Sequence, residues 1–386
     1  MSFNQVISRK GTSSLKWDMT KAVFGTDDIL PMWVADMDFS PPQAVIDALN
    51  ERVNHGVFGY TYVGDSVSEA IIDWQKRRHT WNVKKSWLLY SPGVVKSIAT
   101  IIQALTVSGD KVLVQSPIYE PFLTIPKAND RELVNCPLVQ GDSNYEIDFE
   151  AFEASLKNGV KLFILCHPHN PVGRVWKKEE LTTIAELCEK YDVTVVSDEI
   201  HSDLVYKPHT HIPFASLSEE IAKRTITLIA PSKTFNLAGL QVSAMISENV
   251  EYRKKIKAIH KSQGQFTLNP LGISAMEAAY KEGDEWLENL LDYLKGNVDL
   301  VNRFLSEHLP KVKMIDIQAT YLVWLDCREL GYTDEDLKKL LIHKGRLGLE
   351  AGPKFGQGGE GFVRMNIACP REVVQDGLLR LKKAFE

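Results

Sequence analysis

Thr225-Ile226-Thr227-Leu228-Ile229-Ala230-Pro231-Ser232-Lys233-Thr234-Phe235-Asn236 decides how this chain is read. Its first five residues form a short run rich in branched side chains, the pattern of a buried strand. The run stops at Pro231, and a serine and a lysine follow. A lysine at the mouth of such a strand is either a solvated charge or an amine kept for reaction with an aldehyde. Lys233 alone does not choose between them; the other strand ends must.

Working outward, the same theme recurs. Trp87-Leu88-Leu89-Tyr90 runs into Ser91-Pro92-Gly93, and a helix is predicted over 94–105. Lys111-Val112-Leu113-Val114 leads to Gln115-Ser116-Pro117-Ile118-Tyr119. Lys161-Leu162-Phe163-Ile164-Leu165-Cys166 leads to His167-Pro168-His169-Asn170-Pro171-Val172-Gly173, and Val193-Thr194-Val195-Val196 to Ser197-Asp198-Glu199-Ile200-His201. Strands alternating with helices predict an α/β fold, a mostly parallel central sheet with helices on both faces. Ligands of such sheets sit outside the carboxyl ends of the strands, so the polar clusters should converge on one rim. From about Tyr280 the pattern changes to a long helix over 284–309, a strand over 319–325, a helix over 334–344, a strand over 362–368 and a final helix: a smaller α+β domain. The expected division is an N-terminal arm and part of the small domain (1–45), a large cofactor-binding domain (46–285) and a small C-terminal domain (286–386).

The 386 residues are 44% apolar and 25% charged, with a formal net charge of −5. This is an ordinary globular composition, and its charge gives no support for nucleic-acid or anionic-membrane partners. Five cysteines lack a Cys-x-x-Cys pair, which argues against a disulfide framework or structural zinc. Met1-Ser2-Phe3-Asn4-Gln5-Val6 has no apolar signal core, and no stretch approaches the ~20 apolar residues of a membrane helix. A cytoplasmic protein is expected. Gly356-Gln357-Gly358-Gly359-Glu360-Gly361 fits a dinucleotide pattern but precedes a strand, so it reads as a loop near Arg364. His167/His169 and His209/His211 lack an evident acidic or cysteine partner, and no metal site is expected.

Each strand-end cluster meets a need of pyridoxal 5'-phosphate (PLP). Gly93-Val94-Val95 opens a helix whose free N–H groups suit a phosphate. Asp198 can stabilise a protonated pyridine nitrogen, although alone it is equally a helix cap or an ion-pair partner. Asn170 can donate to the ring oxygen, and Tyr119 can stack on the ring. Arg364, a charge in an otherwise apolar strand, can clamp an α-carboxylate, with a structural ion pair as the competing explanation.

In this order the residues resemble the class I/II aminotransferase superfamily of fold-type I PLP-dependent enzymes. Pro31-Met32-Trp33-Val34-Ala35-Asp36-Met37-Asp38-Phe39, Phe58-Gly59-Tyr60-Thr61, Ser232-Lys233-Thr234-Phe235-Asn236-Leu237-Ala238-Gly239-Leu240-Gln241 and Tyr321-Leu322-Val323-Trp324-Leu325-Asp326-Cys327 are similar to the MalY/PatB-type cystathionine β-lyases, also called C–S lyases. The resemblance implies that Lys233 forms the Schiff base, Asp198 pairs with the pyridine nitrogen, and Asn170 and His201 lie at the ring oxygen. It implies that Gly93, Val94, Val95 and Ser232 hold the phosphate while Tyr119 stacks. Arg364 and Asn170, with the backbone of Ala35, would bind the substrate carboxylate. Tyr60 would reach the phosphate in a partner subunit, making the protein a homodimer. Gln241 stands where many aminotransferases carry a phosphate-binding arginine, which agrees with the lyase branch.

The expected reaction is β-elimination from sulfur-substituted L-cysteine. Freed Lys233 removes the α-proton, a thiol leaves, and pyruvate and ammonia follow; cystathionine would give homocysteine. For Lys233 to be neutral near pH 7, its pKa must fall by roughly three units. The rival readings are an aminotransferase, which shares the early steps, and a non-catalytic regulator with the same fold. The arm around Trp33 is expected to shape the substrate's side-chain pocket.

Overall fold

The alternation of strand and helix builds one large sheet. The computed structural model describes residues 3–141 and 144–386; Met1 and Ser2, the start of the stretch read for a signal core, lie outside the described residues. Strands β1 (Leu88–Ser91), β2 (Lys111–Val114), β3 (Glu132–Asn135), β4 (Val160–Cys166), β5 (Thr194–Asp198), β6 (Thr225–Ile229) and β7 (Ser243–Ile246) stand in the order β1-β7-β6-β5-β4-β2-β3. β7 runs against both neighbours, and the other pairs are parallel. β1 and β6, both antiparallel to β7, therefore end at the same rim as β5 and β4.

Period-two alternation explains the two-sided burial. In β4, Leu162 and Ile164 pack into one core while Phe163 and Leu165 pack into the other. The first core is closed by α3 (Val94–Leu105) and α5 (Val250–Ser262); the other longer helices among the described residues are α1 (Gln43–His55), α2 (Asp65–His79), α4 (Lys178–Lys190), α6 (Pro270–Glu282), α7 (Asp284–His308) and α8 (Arg371–Phe385). α3 buries Val94, Ile98, Ile101 and Ile102, one stripe at helical spacing. α4 closes the second core with Leu181, Ile184 and Cys188.

A second sheet, β8 (Lys313–Met314), β9 (Leu322–Asp326), β10 (Glu350–Ala351) and β11 (Phe362–Asn366), is antiparallel in the order β8-β9-β11-β10. α7 lays Leu287, Leu290, Leu294, Val298, Val301 and Leu305 into the core beside it. The arm joins this part through Leu30–Pro31, which pairs with Leu347–Gly348.

Three expected elements differ. The strand over 319–325 starts only at Leu322, because Thr320 holds φ +73°, which no ladder residue adopts. The helix over 334–344 is regular only to Lys339 and widens into a π turn, Leu340–Gly345, where Gly345 lies against the backbone of Arg380. The strand over 362–368 ends at Asn366, whose side chain turns to bond the arm. Among the described residues no helix is long and apolar enough to cross a membrane.

Candidate active site

β5 ends with Asp198 beside Cys166 of β4 and Leu228 of β6. Past β6 the chain tightens into the turn Pro231–Thr234, which carries Lys233 above the rim. The half-buried Lys233 donates from Nζ to the Ala35 carbonyl at 2.7 Å, and the Tyr321 hydroxyl donates to the same oxygen at 2.9 Å. Burial, then the Arg364 charge, lowers the lysine pKa from 10.5 to about 8, against the pull of Asp36 and Asp198. About a tenth of such amines are neutral at pH 7.

Asp198 is buried and accepts a bond from the Ile200 N–H at 3.1 Å. Burial lifts its pKa from 3.8 to about 7, with Glu199 adding to the rise and the Ile200 bond and Lys233 opposing it. A carboxylate in this position is stabilised by a cationic nitrogen.

Arg364 enters from β11, in the other sheet, and is 4% exposed. Its Nη1 donates to Asn170 Oδ1 at 3.1 Å and its Nη2 to the Trp33 carbonyl at 2.9 Å, while Cζ lies 4.8 Å from the Phe355 ring centroid. Among the described residues its Nε has no hydrogen-bond partner and no carboxylate forms an ion pair with it. Glu350 stands opposite in register but gives its oxygen to Lys354 at 3.1 Å. The structural ion pair that competed with a functional role is therefore absent among the described residues.

The other expected residues fall as follows. Asn170 and His201 are buried; His201 meets Tyr321 edge-on at 6.3 Å, and among the described residues its Nδ1 has no partner. Burial, then the charges of Lys233 and Arg364, keeps that imidazole neutral. Tyr119 is half-buried and edge-on to Phe122 at 5.8 Å, within the fields of Arg364 and Asp198. Gly93 caps α3 with φ +145° and no side-chain bond, leaving the first N–H groups of Val94 and Val95 at the rim. Ser232 is half-buried beside Lys233, and Gln241 is exposed at φ +48°. Tyr60 is not brought into this cluster: its side chain is fully exposed, as are much of Phe58, Tyr62 and Phe266.

Several contributors went unassigned in the sequence. Asn366 donates to the carbonyls of Val34 and Asp36, each at 2.6 Å. Asn236 binds the Met37 N–H and the carbonyls of Met37 and Phe39. Asp203 accepts from Trp74, His79 and Thr234 at 2.8–3.0 Å, fixing the residue after Lys233. A polar residue two places after Arg364 in an apolar strand was a readable signal for Asn366, since both share a face. One expectation needs correction. His211 does have an acidic partner, Glu199 at 2.8 Å, and its ring lies tilted against that of His167 with centroids 4.3 Å apart, while His209 is exposed. In the arm, the Trp33 indole donates to the Lys16 carbonyl at 3.2 Å and meets Phe24 edge-on, while the Trp33 carbonyl accepts from Arg364. Among the described residues no cluster suits a metal ion.

Residues 27–381 match the family described as aminotransferase class I and II. The chain is 47% identical over 386 residues to cystathionine beta-lyase PatB of Bacillus subtilis, covering 100% of both. It superposes on cystalysin from Treponema denticola, a crystal structure with a pyridoxal 5'-phosphate cofactor, with TM-score 0.96 and 36% identity over 99% of this chain and 98% of that one. The PLP-bound C-S lyase from Staphylococcus hominis superposes with TM-score 0.93 and 34% identity, over 100% and 99%. Fold, rim and full-length similarity agree: the chain belongs to the class I and II aminotransferase family, in the branch that contains PatB.

Proposed function

We propose that this protein is a PLP-dependent carbon–sulfur lyase that, with one water, converts sulfur-substituted L-cysteine substrates, cystathionine among them, to a thiol, pyruvate and ammonia. The observation that carries the reading is Arg364: a buried guanidinium with no carboxylate partner among the described residues, close enough to Lys233 to lower its pKa. An α-amino acid brings the missing carboxylate to the arginine and its amine to the lysine.

The residues present fit the cofactor. Asp198 offers a ring nitrogen a buried carboxylate that accepts a bond from the Ile200 N–H. The open amides of Gly93, Val94 and Val95, with Ser232, would hold the phosphate, and a Cβ built on Gly93 meets nothing within 4 Å. Tyr119 would stack, and Asn170 and His201 would face the ring oxygen. When bound, PLP supplies an electron sink for charge developing at the substrate α-carbon. Arg364 and Asn170 orient the substrate by its carboxylate, with Ala35 beside them. Lys233, partly neutral at physiological pH, accepts the α-proton. A cationic ring nitrogen beside Asp198 would hold that carboxylate in its charged form, and the sulfur would leave the β-carbon with the bonding pair and take up a proton to become the thiol.

The exposed Phe58–Tyr62 segment fits a homodimer in which Tyr60 reaches the partner's phosphate. The division into an arm (1–45), a cofactor-binding domain (46–285) and a small domain (286–386) belongs to the same reading, as does a cytoplasmic location, which suits five unpaired buried cysteines. An acceptor-free assay separates lyase from aminotransferase: the PLP-loaded protein with cystathionine and no keto acid should release pyruvate and homocysteine in equal amounts, and Lys233→Ala should abolish it. Turnover only on adding a keto acid would favour the transaminase.

A further inference from the structure

Every backbone carbonyl from Trp33 to Met37 is held by a side chain. Arg364 holds Trp33, Asn366 holds Val34 and Asp36, Lys233 and Tyr321 share Ala35, and Asn236 and Arg9 share Met37. Asp36, next to Ala35, is thereby fixed close to the reacting amine. Its carboxylate is taken by the Arg9 fork through two bonds, of 3.0 and 2.6 Å, with Lys16 Nζ at 3.9 Å. Behind it, buried Asp38 receives Lys16 at 2.7 Å, Arg9 at 2.9 Å and the Trp17 indole at 3.0 Å. Two cations thus balance two carboxylates within the arm.

That balance matters to Lys233. The groups that face it are Arg364 from β11, Asp198 from β5, Asp36 from the arm, and the neutral His201 and Tyr321. A carboxylate beside a buried amine favours the ammonium form, and a cation bound to that carboxylate cancels part of the effect. We propose that Arg9 is a positioning residue of the site, its fork drawing the charge of Asp36 onto the arm so that Lys233 can give up its proton. The proposal rests on Lys233 being the acting amine.

Two substitutions push in opposite directions. Arg9→Gln leaves Asp36 unscreened and should raise the pH at which Lys233 deprotonates; Asp36→Asn removes the carboxylate and should lower it. The readout is competitive acetylation of the full-length, cofactor-free chain across pH, with the Lys233 peptide quantified by mass spectrometry. From a wild-type midpoint near 8, Arg9→Gln should move up and Asp36→Asn down, each by about half a pH unit. Arg9→Lys should restore most of the wild-type value. In the PLP-loaded enzyme the acid limb of kcat/KM should move in the same senses. Loosening of the arm alone would shift both variants the same way, and that result, or no shift in either, overturns the proposal. If Arg9→Gln fails to fold, the direction of Asp36→Asn decides. Retained turnover in Lys233→Ala would instead sink the functional reading while leaving the labelling result intact.

Discussion

Replacing Arg364 by methionine separates binding from stability. In this structure the guanidinium bonds Asn170 and the Trp33 carbonyl, rests on Phe355 and has no carboxylate partner among the described residues. A substrate carboxylate gripped by a two-pronged fork gains two charge-assisted bonds of about 1.5–3 kcal/mol each. At 1.4 kcal/mol per factor of ten, Arg364→Met should lower kcat/KM for cystathionine by roughly 10²- to 10⁴-fold, and Arg364→Lys by about 10- to 150-fold. Breaking a buried ion pair would cost the fold about 3–5 kcal/mol, because an uncompensated charge stays behind. No carboxylate partner would be stranded; Asn170 Oδ1 and the Trp33 carbonyl lose a donor, but removal of an unpaired buried charge offsets part of that cost, so the loss of stability in urea should stay below about 3 kcal/mol. The assay is steady-state pyruvate release beside urea unfolding of the cofactor-free chain. A kcat/KM within threefold of wild type, or a stability loss in the ion-pair range, would refute the reasoning.

Other consequences follow from single residues. The lysine pKa is depressed to about 8, so its burial penalty is full below pH 8 and relieved as pH rises toward 10.5. Cofactor-free Lys233→Met should thus be more stable than wild type at pH 7 by up to about 3 kcal/mol, and the gap should close over that window in urea titrations. Gly93→Ala meets no described atom beyond its chain neighbours within 4 Å but sits at φ +145°. It should cost about 1–3 kcal/mol in backbone strain and weaken PLP binding, read by fluorescence titration, more than the denaturation curve alone explains. Tyr60→Ala alters a fully exposed side chain, so the stability of the single chain should change by less than about 0.5 kcal/mol, while PLP affinity of the assembled protein should fall about tenfold or more.

What the sequence made legible was local. A buried strand ending in polar residues announces itself, so the β6–Lys233, β5–Asp198 and β4–Asn170 junctions could be read without coordinates. Arg364 was legible because a charge inside an apolar strand needs a reason. The Ala35 carbonyl that receives Lys233 was not legible as such: it comes from 198 residues away, and a backbone oxygen leaves no mark in residue type. Tyr321 reaches the same oxygen across 286 residues. The start of β9 was misplaced because a left-handed threonine, Thr320, looks like an ordinary strand residue in sequence. The pairing of His211 with Glu199 was missed because the chain must fold back over twelve residues to make it. Tyr60 illustrates a different limit, since its side chain is fully exposed and lies outside its own chain's cluster.

The most direct test of the central claim is where the cofactor attaches. The protein loaded with PLP, reduced with borohydride and digested, should carry the pyridoxyl mass on the peptide containing Lys233 and lose it in Lys233→Ala. The mass on another lysine, or on none, would contradict the account.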